Sequence, residues 1–172
     1  MILGVVLAGG KSSRFGSDKA LAMLGGKRLL DHAVERLSGW CDAVVVAGRE
    51  PGIPDWPQPD MGPLGGIAAG LRHAEANGFD SAVSCSVDSF DLPANLAELL
   101  AKPPCYLADQ PVIGHWPASA ARTVEDILTA GGKHSLWQFV DAIDAIPVKI
   151  GTKAANINTP ADLAAAEKNY GL

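Results

Sequence analysis

Just after its first apolar run, the chain reads Gly9-Gly10-Lys11-Ser12-Ser13-Arg14-Phe15-Gly16-Ser17-Asp18-Lys19. Adjacent glycines reach backbone conformations closed to other residues, and their amides can approach a ligand with no Cβ in the way. Arg14 and Lys19 bring two fixed positive charges to the same loop. Amides plus cations suit a triphosphate, whose charge must be offset while a bond to phosphorus breaks. The competing reading is a plain strand-to-helix turn. Neither standard phosphate loop is met: Val5 stands where a Walker A glycine would be, and Ser12 where G-x-G-x-x-G needs its next glycine after Gly10. The cations at positions 14 and 19, with Gly16 and Asp18, therefore carry the phosphate reading.

Asp88 closes the third apolar run, in Ser86-Val87-Asp88-Ser89-Phe90-Asp91-Leu92-Pro93. A carboxylate there suits Mg²⁺, a hard cation that favours one or two carboxylates plus phosphate oxygens. It could instead cap the following turn, but Asp91, ahead of Pro93, is the better cap. Asp60 precedes Gly62-Pro63-Leu64-Gly65-Gly66, whose glycines would let a nucleoside lie against the backbone. The acid could accept hydrogen bonds from guanine or ribose; an exposed turn acid beside Pro59 is an equal reading. Asn156 and Asn158 alternate about Ile157, which puts both amides on one side of an extended segment. They could orient phosphates or a second substrate, or simply form a turn and cap.

These residues need a frame that brings them together. Continuous aliphatic runs at 2–8, 43–47 and 81–87 read as strands buried on both faces. Helical spacing runs through 28–37, 64–76 and 92–100, the last with Asp91 as its N-cap. Further on, short strands are expected at Tyr106 and 111–116, helices at 118–129 and 135–143, and a strand at 145–150. Thr159-Pro160-Ala161-Asp162 is a strong helix start: a cap, a proline in the first turn and an acid three residues on. This alternation predicts one α/β domain spanning 1–172, Rossmann-like and three-layered, with a mostly parallel sheet and helices on both faces. Such sheets bind ligands beyond the carboxyl ends of their strands, where strand order reverses. The glycine loop and Asp88 both fall there.

Composition narrows the partners. Apolar residues make up 48% and charged residues 19% of the 172, which excludes wholesale disorder. A net charge of −5 argues against a nucleic-acid or membrane-surface binder. No apolar run approaches the length of a bilayer span, and the opening run reads as a strand rather than a signal peptide. Cys41, Cys85 and Cys105, an odd number without C-x-x-C spacing, point to a reducing cytoplasm and away from a zinc ribbon. His32, His73, His115 and His134 show no metal-ligand spacing.

The run L-A-G-G-x-S-x-R-x-G-x-D-K resembles the signature of the nucleotidyltransferases, and the whole chain is similar to the molybdenum cofactor guanylyltransferases among them. Gly62-Pro63-Leu64-Gly65-Gly66-Ile67, Asp88, Gln110-Pro111-Val112 and Asn156-Ile157-Asn158-Thr159-Pro160 extend the likeness along the chain. The resemblance implies transfer of GMP from Mg·GTP to the terminal phosphate of molybdopterin, with Mg²⁺ as cofactor and Asp88 as its ligand. It implies Arg14, Lys19 and Asp88 in catalysis. Nucleotide binding falls to Leu7, Ala8, Gly9, Gly10, Lys19, Asp60, Gly65 and Asp88, and acceptor binding to Lys133, Asn156 and Asn158. A monomer that hands its product to molybdoenzymes is expected. A relative using CTP, a sugar or polyol phosphate acceptor, or a non-catalytic nucleotide binder, remains an alternative. The chain departs from the family where Asp-x-Pro becomes Asp88-Ser89-Phe90, and where an asparagine after the second strand becomes Val46-Ala47-Gly48-Arg49.

Overall fold

A computed structural model describes residues 1–10, 18–151 and 156–170. Its centre is a six-stranded sheet. β1 (Ile2–Leu7) runs parallel to β4 (Ala43–Ala47) on one side and to β5 (Ser81–Ser86) on the other. The short strands β2 (Met23–Leu24) and β3 (Lys27–Arg28) form a separate hairpin between them in sequence. β6 (Cys105–Leu107) and β7 (Gln110–Pro117) form a second hairpin, and β7 joins β5 antiparallel. β8 (Ile146–Val148) pairs parallel with β6 at the edge, giving the order β4-β1-β5-β7-β6-β8. β7 alone opposes the other five strands, so the sheet is mostly parallel, as expected.

β1 is aliphatic throughout because both its faces are covered. Leu3, Val5 and Leu7 pack on one face against α2 (Gly62–Ala76), α4 (Ala121–Thr129) and α5 (Leu136–Ala142). Val6 faces the other way, onto Ala33 and Leu37 of α1 (Leu29–Ser38). On that side α3 (Leu96–Leu99) covers Cys105, Leu107 and Ile113. The final helix, α6 (Pro160–Tyr170), packs at the carboxyl-end rim, where Ala166 meets Leu24, Leu29 and Ile157.

Some boundaries differ from the periodicity. The helix expected over 92–100 is one short turn, and Asp91 does not cap it; Asn95 precedes it without a side-chain cap. Pro93 biases Leu92 away from helical angles, and the Leu96 amide instead closes a turn onto the Pro93 carbonyl at 3.1 Å. The helix expected from 118 opens with a 3-10 turn, Ala118–Ala120. The Thr159 start forms as expected: its hydroxyl accepts from the Asp162 amide at 3.1 Å, and Asp162 accepts from the Thr159 amide at 2.8 Å.

Candidate functional site

β1 ends between β4 and β5, so the next two strands of this sheet in sequence lie on its opposite sides: the switch point of the sheet. Ala8 is tied to β4 by its amide, 2.9 Å from the Ala47 carbonyl, and the Val87 amide reaches back to the Leu7 carbonyl at 3.3 Å. Gly9 then passes close to Gly48. A Cβ on Gly48, whose φ is +86°, would come within 2.6 Å of the Gly9 Cα. Gly48 has no room for a side chain at this crossing and Gly9 has little, its Cβ falling 3.1 Å from the Gly48 Cα.

Lys19 opens a 3-10 turn, Lys19–Leu21, capped by Asp18. Its ammonium donates to Asp88 Oδ2 at 3.0 Å and to Asn158 Oδ1 at 3.2 Å. Both members of the Lys19–Asp88 pair are largely shielded from solvent, at 14% and 21% side-chain exposure, which makes the contact stronger than an ordinary surface pair. The other Asp88 oxygen accepts from Ser86 Oγ at 2.5 Å. Asp88 therefore does not cap a turn.

The backbone around Asp88 is pinned from several sides. The Ile157 amide donates to the Asp88 carbonyl at 3.0 Å, and Ser89 bridges Asn156. Arg36 of α1 donates to the Ser89 carbonyl at 2.7 Å. Phe90, where the related pattern has proline, packs on the Leu24, Leu29, Ile157 and Ala166 cluster and sits edge-on to His32. Packing and hydrogen bonds here do the stiffening that a proline ring would do.

Among the described residues three cavities adjoin this junction, and Gly10 borders each. One of about 140 Å³ is walled by Leu7, Ala8, Gly9, Lys19, Ser86 and Asp88, with Asp18 beside them. A second, about 480 Å³, extends over Gly9, Asp55, Gly66, Asp88 and Val112, a volume fit for a small-molecule ligand. The third, about 150 Å³, lies outward among Arg49, Glu50, Asp55 and Asp60.

The sequence-derived residues divide accordingly. Leu7, Ala8, Gly9, Gly10, Lys19 and Asp88 meet in one cavity, and Asn158 joins them through Lys19. Asp60 is exposed, at φ +65°, and borders only the outer of the three cavities. Gly65 borders none of them. It faces Met61 and the Trp56 carbonyl inside α2, and its own carbonyl accepts from the Trp56 amide at 3.2 Å. The helical turn brings Gly66, not Gly65, to the cavity wall. Asn156 is exposed and engaged through Ser89. Lys133 is exposed between α4 and α5 and borders none of the three cavities. Arg14 lies outside the described residues.

Asp55 escaped the sequence reading, and it is the acid that borders both larger and outer cavities. Its carboxylate faces the glycine crossing, with oxygens 3.2 and 3.0 Å from where Cβ atoms on Gly9 and Gly48 would lie. Burial, and then the nearby charge of Asp60, push its carboxyl pKa up. Nothing in Ile53-Pro54-Asp55-Trp56-Pro57 marks it; only a bridge from Ile53 to Ala47 swings the segment over the strand ends.

Two carboxylates border the inner cavity, Asp18, which is paired with Arg49, and Asp88; with no cluster of three or more acidic, histidine or cysteine ligands among the described residues, they do not make a closed metal cage. Such a set fits a magnesium ion that keeps water and brings phosphate oxygens as ligands.

A family model described as MobA-like NTP transferase domain matches residues 4–146. The chain is 37% identical to the molybdenum cofactor guanylyltransferase of Acidiphilium cryptum, covering 95% of this chain and 92% of that protein. It is 38% identical to that of Rhizobium leguminosarum bv. trifolii, covering 97% and 92%. The fold is similar to the crystal structure of molybdopterin-guanine dinucleotide biosynthesis protein A from Archaeoglobus fulgidus, with a TM-score of 0.76, 24% identity and 98% of each chain covered.

Proposed function

The chain belongs to the MobA-like NTP transferase family and is a nucleotidyltransferase, and from that premise we propose that it transfers GMP from Mg·GTP to the terminal phosphate of molybdopterin. The observation that carries the reading is the meeting of Gly9, Gly10, Lys19 and Asp88 at the ends of β1 and β5. An oxygen of the acceptor phosphate attacks the α-phosphorus of GTP. The bond from that phosphorus to the oxygen bridging to the β-phosphate breaks, and pyrophosphate leaves with the electron pair. The acceptor is already anionic, so no side chain has to remove a proton.

Catalysis then consists of positioning and charge offset. The Gly9 and Gly10 amides and Lys19 take the phosphates, with Arg14 as a further cation from the same loop. Asp88 would hold Mg²⁺, which when bound withdraws charge from the phosphoryl oxygens. Lys19 and Asp88 neutralise one another; with substrate present the ammonium would turn to phosphate, and Asp88 would be the carboxylate that holds the cation. Asn158 holds Lys19 beside Asp88. Asp55, which borders the larger cavity as well as the outer one that Asp60 borders, is the acid we assign to accept from guanine N1–H and the 2-amino group. Asn156, beside Ser89, and Lys133, outside the three cavities, are the residues assigned to the acceptor. We further propose that the chain works as a single-domain monomer in the cytoplasm and passes its product to molybdoenzymes. All three cysteines are free thiols, which suits a reducing compartment. Among the described residues no helix is long and apolar enough to cross a membrane.

The test is a product assay with each nucleoside triphosphate against purified molybdopterin. Dinucleotide and pyrophosphate should form with GTP, and Asp88→Ala should lose about 10²-fold or more in turnover while keeping its fold. Preference for CTP, absence of product with every donor, or an undiminished Asp88→Ala variant would overturn the proposal.

A further inference from the structure

Asp18 stands on the wall of the inner cavity beside Lys19, and its charge has the wrong sign for a polyphosphate. The fold nevertheless needs an oxygen there. Asp18 Oδ1 accepts from the Ala20 amide at 3.1 Å and so caps the turn that carries Lys19. The contact with Arg49 also holds its carboxyl below the usual carboxylate range, so the acid does not shed its charge at neutral pH.

Arg49 comes from the turn after β4, on the far side of the glycine crossing. Its Nη1 donates to Asp18 Oδ1 at 3.1 Å and its Nη2 to Oδ2 at 2.7 Å, a two-pronged fit. Its side chain is 22% exposed against 47% for Asp18. Gly48 has no room for a side chain, so Arg49 is the first residue after β4 able to reach across. Both terminal nitrogens are committed to Asp18, and Arg49 is not a wall of the inner cavity; it borders only the outer one.

We propose that Arg49 is a positioning residue that neutralises Asp18, so that a triphosphate entering the glycine loop meets a capped Lys19 turn without an uncompensated carboxylate. The inference rests on the reading that GTP phosphates occupy the inner cavity. Arg49 acts here through Asp18 and not by touching the nucleotide.

Equilibrium binding of Mg·GTP to the full chain separates the two roles. Arg49→Ala should weaken binding about tenfold, and the deficit should shrink as salt is raised, because it is a repulsion between charges. The double variant Asp18→Asn with Arg49→Ala should return to within about threefold of wild type, since asparagine keeps the cap and drops the charge. Arg49→Lys should keep most of the affinity. Should Arg49→Ala fail to fold, Arg49→Gln is measured in its place, alone and with Asp18→Asn. An Arg49 variant that binds as wild type overturns the inference. So does a double variant as weak as the single one, which would mean direct contact or general support of the fold. A wild-type chain without affinity for Mg·GTP overturns the proposed function and this inference together.

Discussion

At the scale of single residues, chemistry depends on where a handful of polar atoms point. Lys19, Asp88 and Asn158 come from positions far apart in sequence, yet one ammonium touches both oxygen partners. That Lys19 and Asp88 belong to one junction was legible because their types are conspicuous: a cation after a glycine pair, an acid at the end of an aliphatic run. Asp55 was not, because an acid in a proline-rich turn looks like any surface turn. In the proposed role its carboxylate, a two-oxygen acceptor, would meet the two donors on guanine, a pair that adenine does not offer. Asp55→Asn replaces one acceptor with a donor, so the ratio of kcat/KM for GTP over ATP should fall by about ten- to a hundredfold. Because acceptance needs the ionised acid, and burial raises its pKa, kcat/KM for GTP should fall on acidification with a midpoint above that of an ordinary aspartate. Steady-state assays across pH with both nucleotides check this.

At the scale of elements, local caps decide which residues reach the site. The amides of Asn158 and Thr159 both donate to Asp162, and the Thr159 hydroxyl answers the Asp162 amide, so the start of α6 fixes the segment that presents Asn158 to Lys19. Thr159→Ala should cost about 1 kcal/mol. At this chain length that lowers the melting midpoint by roughly 2–4 °C, readable by calorimetry. Turnover should fall several-fold as well, since the segment that presents Asn158 loses the hydroxyl half of its cap and is held by Asp162 alone. This cap was plain in Thr159-Pro160-Ala161-Asp162 because its signals are local. The shortness of α3 was not, since helical spacing over 92–100 says nothing of the turn that Pro93 imposes. The same holds for Gly65 and Gly66: sequence places a glycine pair at the helix start, but only the helical phase decides which one lines a cavity.

At the scale of the whole molecule, the sheet is fastened at its interior by His115 of β7, which is 2% exposed. Its Nδ1 lies 2.6 Å from the Leu100 carbonyl and its Nε2 2.7 Å from Ser81 Oγ. A carbonyl only accepts, so Nδ1 carries the proton and Nε2 accepts from the Ser81 hydroxyl, an arrangement of the neutral ring. Burial accordingly lowers its pKa below that of a free histidine. The unfolded chain therefore binds the extra proton first as pH falls below about 6.5, and stability drops from there down through the lower folded value. Denaturant midpoints should decrease between pH 7 and pH 5. A His115→Gln variant should lose that part of the slope; an unchanged slope would place its origin elsewhere.

The sequence by itself determined the kind of sheet, the glycine loop, the acid opposite it and the start of the last helix. Those features depend on runs and spacings within one segment, where backbone preference and burial act locally. Tertiary structure alone decided that Arg49 reaches Asp18 across the glycine crossing, that Asp55 rather than Asp60 faces the larger cavity, and that Lys133 stands apart. Each of these is a meeting, or a failure to meet, between segments brought side by side by strand order. Distance between such segments is a property of the packed sheet, and no pattern within either segment encodes it.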